Sequence, residues 1–218
     1  YSTYAEEDWK RWIGEEKHVA YLYTSGSRYI NEPLFAKYYG TKYSYIDGLA
    51  RNSWRDINTL TSMIDKAKPL TRDVWMQHGE DMSAFIGKFG VDLRGLTSSQ
   101  LKGLIGKVGT NAPFTSCGIT KGAGFSDEQV ILNIYCPKGT KGIYTEPYSH
   151  YGDGGYEEAG FKWDGKSRLA AGYKPGGEME FILQRGTKFR ITKIEKKGNK
   201  YYIDVDLIEQ PAKLPDTI

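Results

Sequence analysis

The stretch Gly176-Gly177-Glu178-Met179-Glu180-Phe181-Ile182-Leu183 decides how the chain is read. A glycine pair leads into two acids two residues apart, and an apolar run follows. Side chains of a β-strand alternate faces, so Glu178, Glu180 and Ile182 share one face and Met179, Phe181 and Leu183 the other. The second face reads as core. The first places two carboxylates side by side where a strand begins, after a Gly176-Gly177 turn that leaves room for a ligand. Like charges so placed repel each other. Read alone, the pair also fits two solvated acids, because Glu is usually exposed.

Working outward, strands dominate on both sides of this stretch. Phe189–Ile194 and Tyr201–Leu207 alternate and meet at Lys197-Gly198-Asn199, a hairpin signal. Upstream, Phe114-Thr115-Ser116-Cys117 reads as a short strand. Val130–Cys136 is apolar enough to be central. The Gly- and Tyr-rich segment 148–177 reads as long loops around a short strand near Gly160–Trp163, and loops of that length are usually functional. Thr97-Ser98-Ser99-Gln100 is a capping box. It opens a helix carried by Leu101, Leu104, Ile105 and Val108, with Gly109 closing it. A further short helix is expected over Asp81–Phe89, and Leu70–Met76 reads as a strand containing Arg72. The first third is helical: Glu6–Tyr21, Glu32–Tyr39 with Pro33 in its first turn, and a long helix whose apolar face runs from Ile46 to Ile64. Helices first and strands later predict an α+β fold, with N-terminal helices followed by a mixed or antiparallel two-sheet β core. The expected organisation is one domain over 1–218, helical over 1–68 and β-rich over 69–218.

Composition bounds the function. The chain has 218 residues, enough to bury a core, and its 39% apolar and 26% charged content is that of a folded domain. A net charge of +3 gives no strong field for nucleic acid or membrane. No apolar run is long enough to span a bilayer. Cys117 and Cys136 sit in apolar segments and read as buried free thiols. With His18, His78 and His150 scattered, no metal site is expected. The chain starts at Tyr1 without a signal-peptide pattern and is expected to be a processed or excised piece.

Four features stand in chain order: Arg72, the Phe114-Thr115-Ser116 strand, the loop Gly118–Phe125, and the paired acids. Each alone has a bland reading as an edge arginine, a small strand residue, an ordinary turn or a solvated pair. Together they resemble the mono-ADP-ribosyltransferases of the arginine–serine–glutamate class. That class includes binary actin-modifying toxins, VIP2-like insecticidal proteins and domains of phage head proteins. The matching motifs are Leu70-Thr71-Arg72, Phe114-Thr115-Ser116-Cys117-Gly118 and Glu178-Met179-Glu180. The chain departs from the family at Cys117 and Gly118, where the family has Thr-Ser, and at Thr71, where many members carry an aromatic residue.

The resemblance implies an enzyme that transfers ADP-ribose from NAD to an arginine of a protein target. It implies Arg72, Ser116, Glu178 and Glu180 as catalytic residues. NAD contacts are implied for Arg72, Gln77, Ser116, Phe125 and Glu180, and target recognition for Tyr173. It also implies a secreted bacterial toxin or a phage-associated protein acting in a target cell's cytoplasm, with or without a separate delivery component. The chemistry fits the residues. An arginine fork pairs bidentately with a pyrophosphate. Breaking the nicotinamide–ribose bond develops an oxocarbenium ion, the charge that glycosidases meet with carboxylates. Glu180 would stabilise that cation and Glu178 would take the proton of an attacking guanidinium. An NAD glycohydrolase or a glycosidase using Glu178 and Glu180 remains an alternative, although a glycosidase leaves Arg72 and the serine strand without a role. So does a catalytically silent binding module of the same fold, which the altered Ser116-Cys117-Gly118 strand keeps open.

Overall fold

The computed structural model describes residues 2–40, 47–120, 127–150, 152 and 179–211. The expected first helix is two, α1 (Ser2–Arg11) and α2 (Gly14–Ser25). They part at Ile13, whose extended backbone donates its N–H to the Glu16 carboxylate at 3.1 Å. Trp9 within α1 and Trp12 just after it are both buried in the same core, so the apolar spacing runs on across the break. Helix α3 (Arg28–Tyr39) starts four residues before Glu32, so Pro33 lies inside it. Helix α4 (Asp47–Lys66) buries Ile57, Leu60 and Ile64 completely, as the spacing of that face predicts. Helix α5 (Met82–Phe89) is capped by the Asp81 side chain, which accepts from the Ala84 N–H.

The capping box at Thr97–Gln100 is present with both of its hydrogen bonds. The helix it opens, α6 (Ser98–Lys102), is shorter than the periodicity implies. Val108 and Gly109 instead belong to strand β2 (Val108–Asn111). A Cβ on Gly109 would stand 2.6 Å from the Lys88 carbonyl oxygen. The glycine therefore marks a close approach to α5 and not a helix end.

The remaining strands are β1 (Val74–Glu80), β3 (Thr115–Gly118), β4 (Val130–Cys136), β5 (Gly142–Tyr144), β6 (Glu180–Leu183), β7 (Thr187–Lys197) and β8 (Lys200–Glu209). They form one mixed sheet in the order β2-β7-β8-β4-β1-β3-β6-β5. Among the described strands only β4 and β8 pair in parallel. The α+β class is as expected, but the two sheets are joined into one. The join is narrow: β1 and β3 share a single register pair, Gln77 opposite Gly118. A five-stranded half and a three-stranded half therefore meet at one point. Hairpin β7–β8 turns at Gly198, whose φ of 63° suits glycine.

Helices α1 to α4 gather around the three-stranded half. The Trp9 indole donates to the Tyr144 carbonyl at 2.7 Å. Asn31 clamps Phe114 by accepting from its N–H and donating to its carbonyl. Gln184 donates to the Thr61 carbonyl and the Asp65 carboxylate. These contacts fix the strands that carry Ser116 and Glu180.

Candidate active site

Strand β6 lies between β3 and β5, and all four of its residues are buried. Glu180 is 3% exposed and Ser116 7%. Antiparallel pairing sets Ser116 opposite Ile182 and Gly118 opposite Glu180, so all four share one face. The Ser116 hydroxyl donates to Glu180 Oε1. The backbone of Glu180 is held as well: its carbonyl accepts from the Thr145 N–H at 3.1 Å and the Thr145 hydroxyl at 3.2 Å. Tyr23 of α2 closes the site from above. Its hydroxyl accepts from Asn31 at 3.2 Å. Burial raises the Tyr23 pKa well above its ordinary value, and the Glu180 charge adds to this. Tyr23 therefore stays a neutral hydroxyl beside the carboxylate.

The alternation expected across Glu178–Leu183 stops at Met179. This residue has φ 44°, a left-handed backbone uncommon outside glycine, and the strand begins only at Glu180. The pleat therefore does not decide which way Glu178 faces. Glu178 itself, Phe125 and Tyr173 lie outside the described residues, as does the strand expected near Gly160–Trp163.

Arg72 is not brought to this site. It is exposed and lies in a bend before β1, not inside a strand. Tertiary contacts set that start. The Leu70 backbone pairs with Thr140 and Gly139, and the Asp73 carboxylate accepts from the Lys138 N–H at 2.7 Å and the Tyr135 hydroxyl. Strand β3 runs antiparallel to β1, so Ser116 lies beyond Gln77 on the side away from Arg72. At about 3.3 Å of rise per residue, Arg72 is about 17 Å along the chain from Gln77 alone.

Gln77 lies at the seam, opposite Gly118. The residue that reaches the serine strand is one the sequence reading passed over. His78 Nδ1 donates to the Ser116 carbonyl at 2.6 Å, and its Nε2 is 3.3 Å from Glu80. Glu80 in turn pairs with Lys88 at 2.9 and 2.7 Å, entirely inside the protein. Burial opposes the Glu80 charge, but Lys88 and then His78 outweigh it and hold the carboxyl down at about 2. Lys88 and Glu80, both buried, and the partly buried His78 thus form a set on α5 and β1 that braces the serine strand. The signal for it was a histidine inside an apolar strand, followed by an acid and, eight residues on, a lysine.

Cys117 and Cys136 are free and buried as expected. Burial lifts both thiols, Cys136 to about 12 and Cys117 well above its ordinary value, which leaves them unreactive. Cys117 points away from Ser116 into the core, so its replacement of a family threonine leaves the serine–glutamate bond intact. Among the described residues no group of three His, Cys, Asp or Glu is arranged to hold a metal ion. No helix among them is long and apolar enough to cross a membrane.

This combination is a buried carboxylate at a strand head, held by a serine from the neighbouring strand, on a sheet split at one seam. The model of the ADP-ribosyltransferase exoenzyme family matches residues 3–209, and the chain belongs to that family. Among solved structures, C3stau2 from S. aureus with NAD aligns with TM-score 0.68 at 16% identity, covering 96% of this chain and 94% of that one. Plx2a, an ADP-ribosyltransferase toxin from Paenibacillus larvae, gives TM-score 0.67 at 19% identity, with 95% and 92% covered. The ADP-ribosylating toxin BECa of a C. perfringens binary enterotoxin, with NADH, gives 0.66 at 18%. It covers 95% of this chain and 46% of that one. No curated protein sequence matches.

Proposed function

We propose that this chain transfers ADP-ribose from NAD to an arginine side chain of a protein target. The observation that carries the reading is the Ser116 hydroxyl donating to Glu180 in a buried site at the head of β6. A carboxylate oriented before substrate arrives costs no reorganisation when charge develops. Glu180 stabilises the ribose cation as the bond from C1′ to the nicotinamide nitrogen breaks and nicotinamide leaves with the electron pair. A guanidinium nitrogen of the target then bonds to C1′, and Glu178 accepts its proton. Phe125 stacks on the nicotinamide ring, Gln77 contacts it from β1, and Tyr173 meets the target protein. Family membership and the toxin structures of the same fold favour action as a toxin inside a target cell.

Labelled NAD incubated with a mixed protein extract tests this directly, beside a Glu180→Gln variant. Label should enter protein with the wild-type chain only. NAD loss without protein labelling would replace the transferase reading with an NAD glycohydrolase, in which water attacks C1′. Arginine as the acceptor rests on Glu178. Its change to glutamine should end transfer and leave part of the NAD hydrolysis, and equal loss of both would remove that role.

A further inference from the structure

One row of residues crosses the sheet at the seam. Asp204 on β8 is opposite Asn133 on β4, Asn133 is opposite Gln77 on β1, Gln77 is opposite Gly118 on β3, and Gly118 is opposite Glu180 on β6. Directly opposed residues point to the same face. The row therefore runs along one face from a carboxylate on β8 to the carboxylate of the candidate site.

Three members are hydrogen-bonded in sequence. Asn133 Nδ2 donates to Asp204 Oδ1 at 3.0 Å, and Gln77 Nε2 donates to Asn133 Oδ1 at 3.1 Å. The direction of this chain follows from the chemistry of its end. A carboxylate only accepts, so Asn133 must present its NH2 to Asp204. Its carbonyl then faces Gln77, which must answer with its own NH2. The Gln77 amide is thereby oriented, with its oxygen Oε1 turned away from Asn133. Without the terminal carboxylate both amides are free to turn over, since an amide looks nearly the same from either end.

Gln77 lines a groove of about 340 Å³ together with Trp75, Gly118, Thr120, Asn133 and Asp204. Trp75 is 54% exposed and packs on Tyr135 at 5.3 Å between ring centroids, which gives the groove an aromatic wall. Two strand spacings separate Gln77 from Glu180, about 10 Å, and Gly118 between them carries no side chain. A flat ring attached to a ribose at Glu180 has room to lie over that glycine.

We infer that Asp204 is a positioning residue for the dinucleotide: through Asn133 it orients the Gln77 amide, so that Gln77 accepts a hydrogen bond from the carboxamide NH2 of nicotinamide. This rests on the reading that the chain binds NAD. It makes the groove selective for a ligand with an N–H donor on the ring over one bearing a carboxylate there.

The test compares binding of NAD with that of nicotinic acid adenine dinucleotide, whose ring carries a carboxylate in place of the carboxamide. Isothermal titration gives both dissociation constants. The wild-type chain should favour NAD by about tenfold or more, because the analogue offers an acceptor where Gln77 also has one. Asp204→Asn keeps the size of the side chain but can donate or accept, so the row loses its direction. The preference should fall to about threefold or less, with the thermal midpoint unchanged. Asn133→Leu interrupts the row and should have the same effect. A preference that survives both substitutions, or a wild-type chain that does not discriminate, overturns the inference. Absence of any NAD binding overturns the NAD reading itself and this inference with it. A merely structural role for Asp204 would lower the midpoint and leave the ratio of the two constants where it was.

Discussion

Replacing Lys88 with methionine should be among the most damaging single changes in this protein. Lys88 Nζ is completely buried and makes both of its bonds, 2.9 and 2.7 Å, to Glu80. Methionine keeps much of the volume and removes the charge, which strands the Glu80 carboxylate in the interior. Breaking a buried pair from one side costs about 3–5 kcal/mol. The acid side gives a matching figure. Glu80 is held from its ordinary value of 4.5 down to about 2, and a depression of that size corresponds to about 3 kcal/mol. Because the folded value lies below the unfolded one, this stabilisation is complete above about pH 4.5 and is lost as pH falls from there towards 2. Urea unfolding at pH 7 should show the variant weaker by about 3 kcal/mol, or about 6–12 °C in Tm for a chain of this length. A series of unfolding curves from pH 6 to pH 2.5 should show the wild type losing stability steeply below pH 4.5 and the variant losing it less steeply. Removing both partners, with Glu80→Gln added, should recover most of the loss, since no charge is then stranded. A single-variant loss under about 1 kcal/mol, or parallel acid profiles, would refute the reasoning.

Ser116→Ala should leave the fold intact, with Tm within a few degrees, and lower kcat for NAD cleavage by about 10- to 100-fold, because Glu180 loses the donor that orients it; unchanged turnover would separate the serine from the chemistry. Arg72→Ala should leave NAD cleavage within about twofold of wild type, as an exposed residue in the bend before β1; a loss of a hundredfold would place it in the site after all. Gly142→Ala should destabilise by about 1–3 kcal/mol in chemical denaturation, because the added Cβ would stand 2.7 Å from the Ile182 carbonyl oxygen and press on the Phe181 ring; a neutral result would mean that β5 shifts freely.

The parts of the fold that local chemistry controls were legible in the sequence. The Thr97 capping box, the Asp81-capped helix, the Gly198 hairpin and the buried face of α4 all follow from residues within one or two turns of each other. The serine and the second glutamate were legible as well, because a strand head and a strand interior are marked by their own neighbours. What failed depended on distant partners. Val108 continues a helical period but is taken by β7, opposite Arg190. Arg72 reads as part of a strand, yet Asp73 and Leu70 are tied to the Pro137–Thr140 turn and delay the strand to Val74. Asn133 and Asp204 carry no local signal at all. Their meaning lies in register, which places them level with Gln77 and Glu180 across four strand boundaries. His78 was visible only as one of three scattered histidines.

The single pairing of Gln77 with Gly118 has a mechanical consequence. Hydrogen bonds between strands rivet a sheet, and here two panels share one backbone register pair, with the His78 side chain adding a bond to the Ser116 carbonyl beside it. Gln77 stands on one panel, while Ser116 and Glu180 stand on the other. A dinucleotide lying between them would add the fastenings that the backbone lacks. The apo protein should then open first along this line, with amide exchange at β3 faster than in the β7–β8 hairpin, whose strands pair along almost their whole length. Bound ligand should slow exchange on both sides of the line together and raise the unfolding midpoint with concentration. The weakest line in the sheet is thus also the place where a substrate can do most to hold the molecule together.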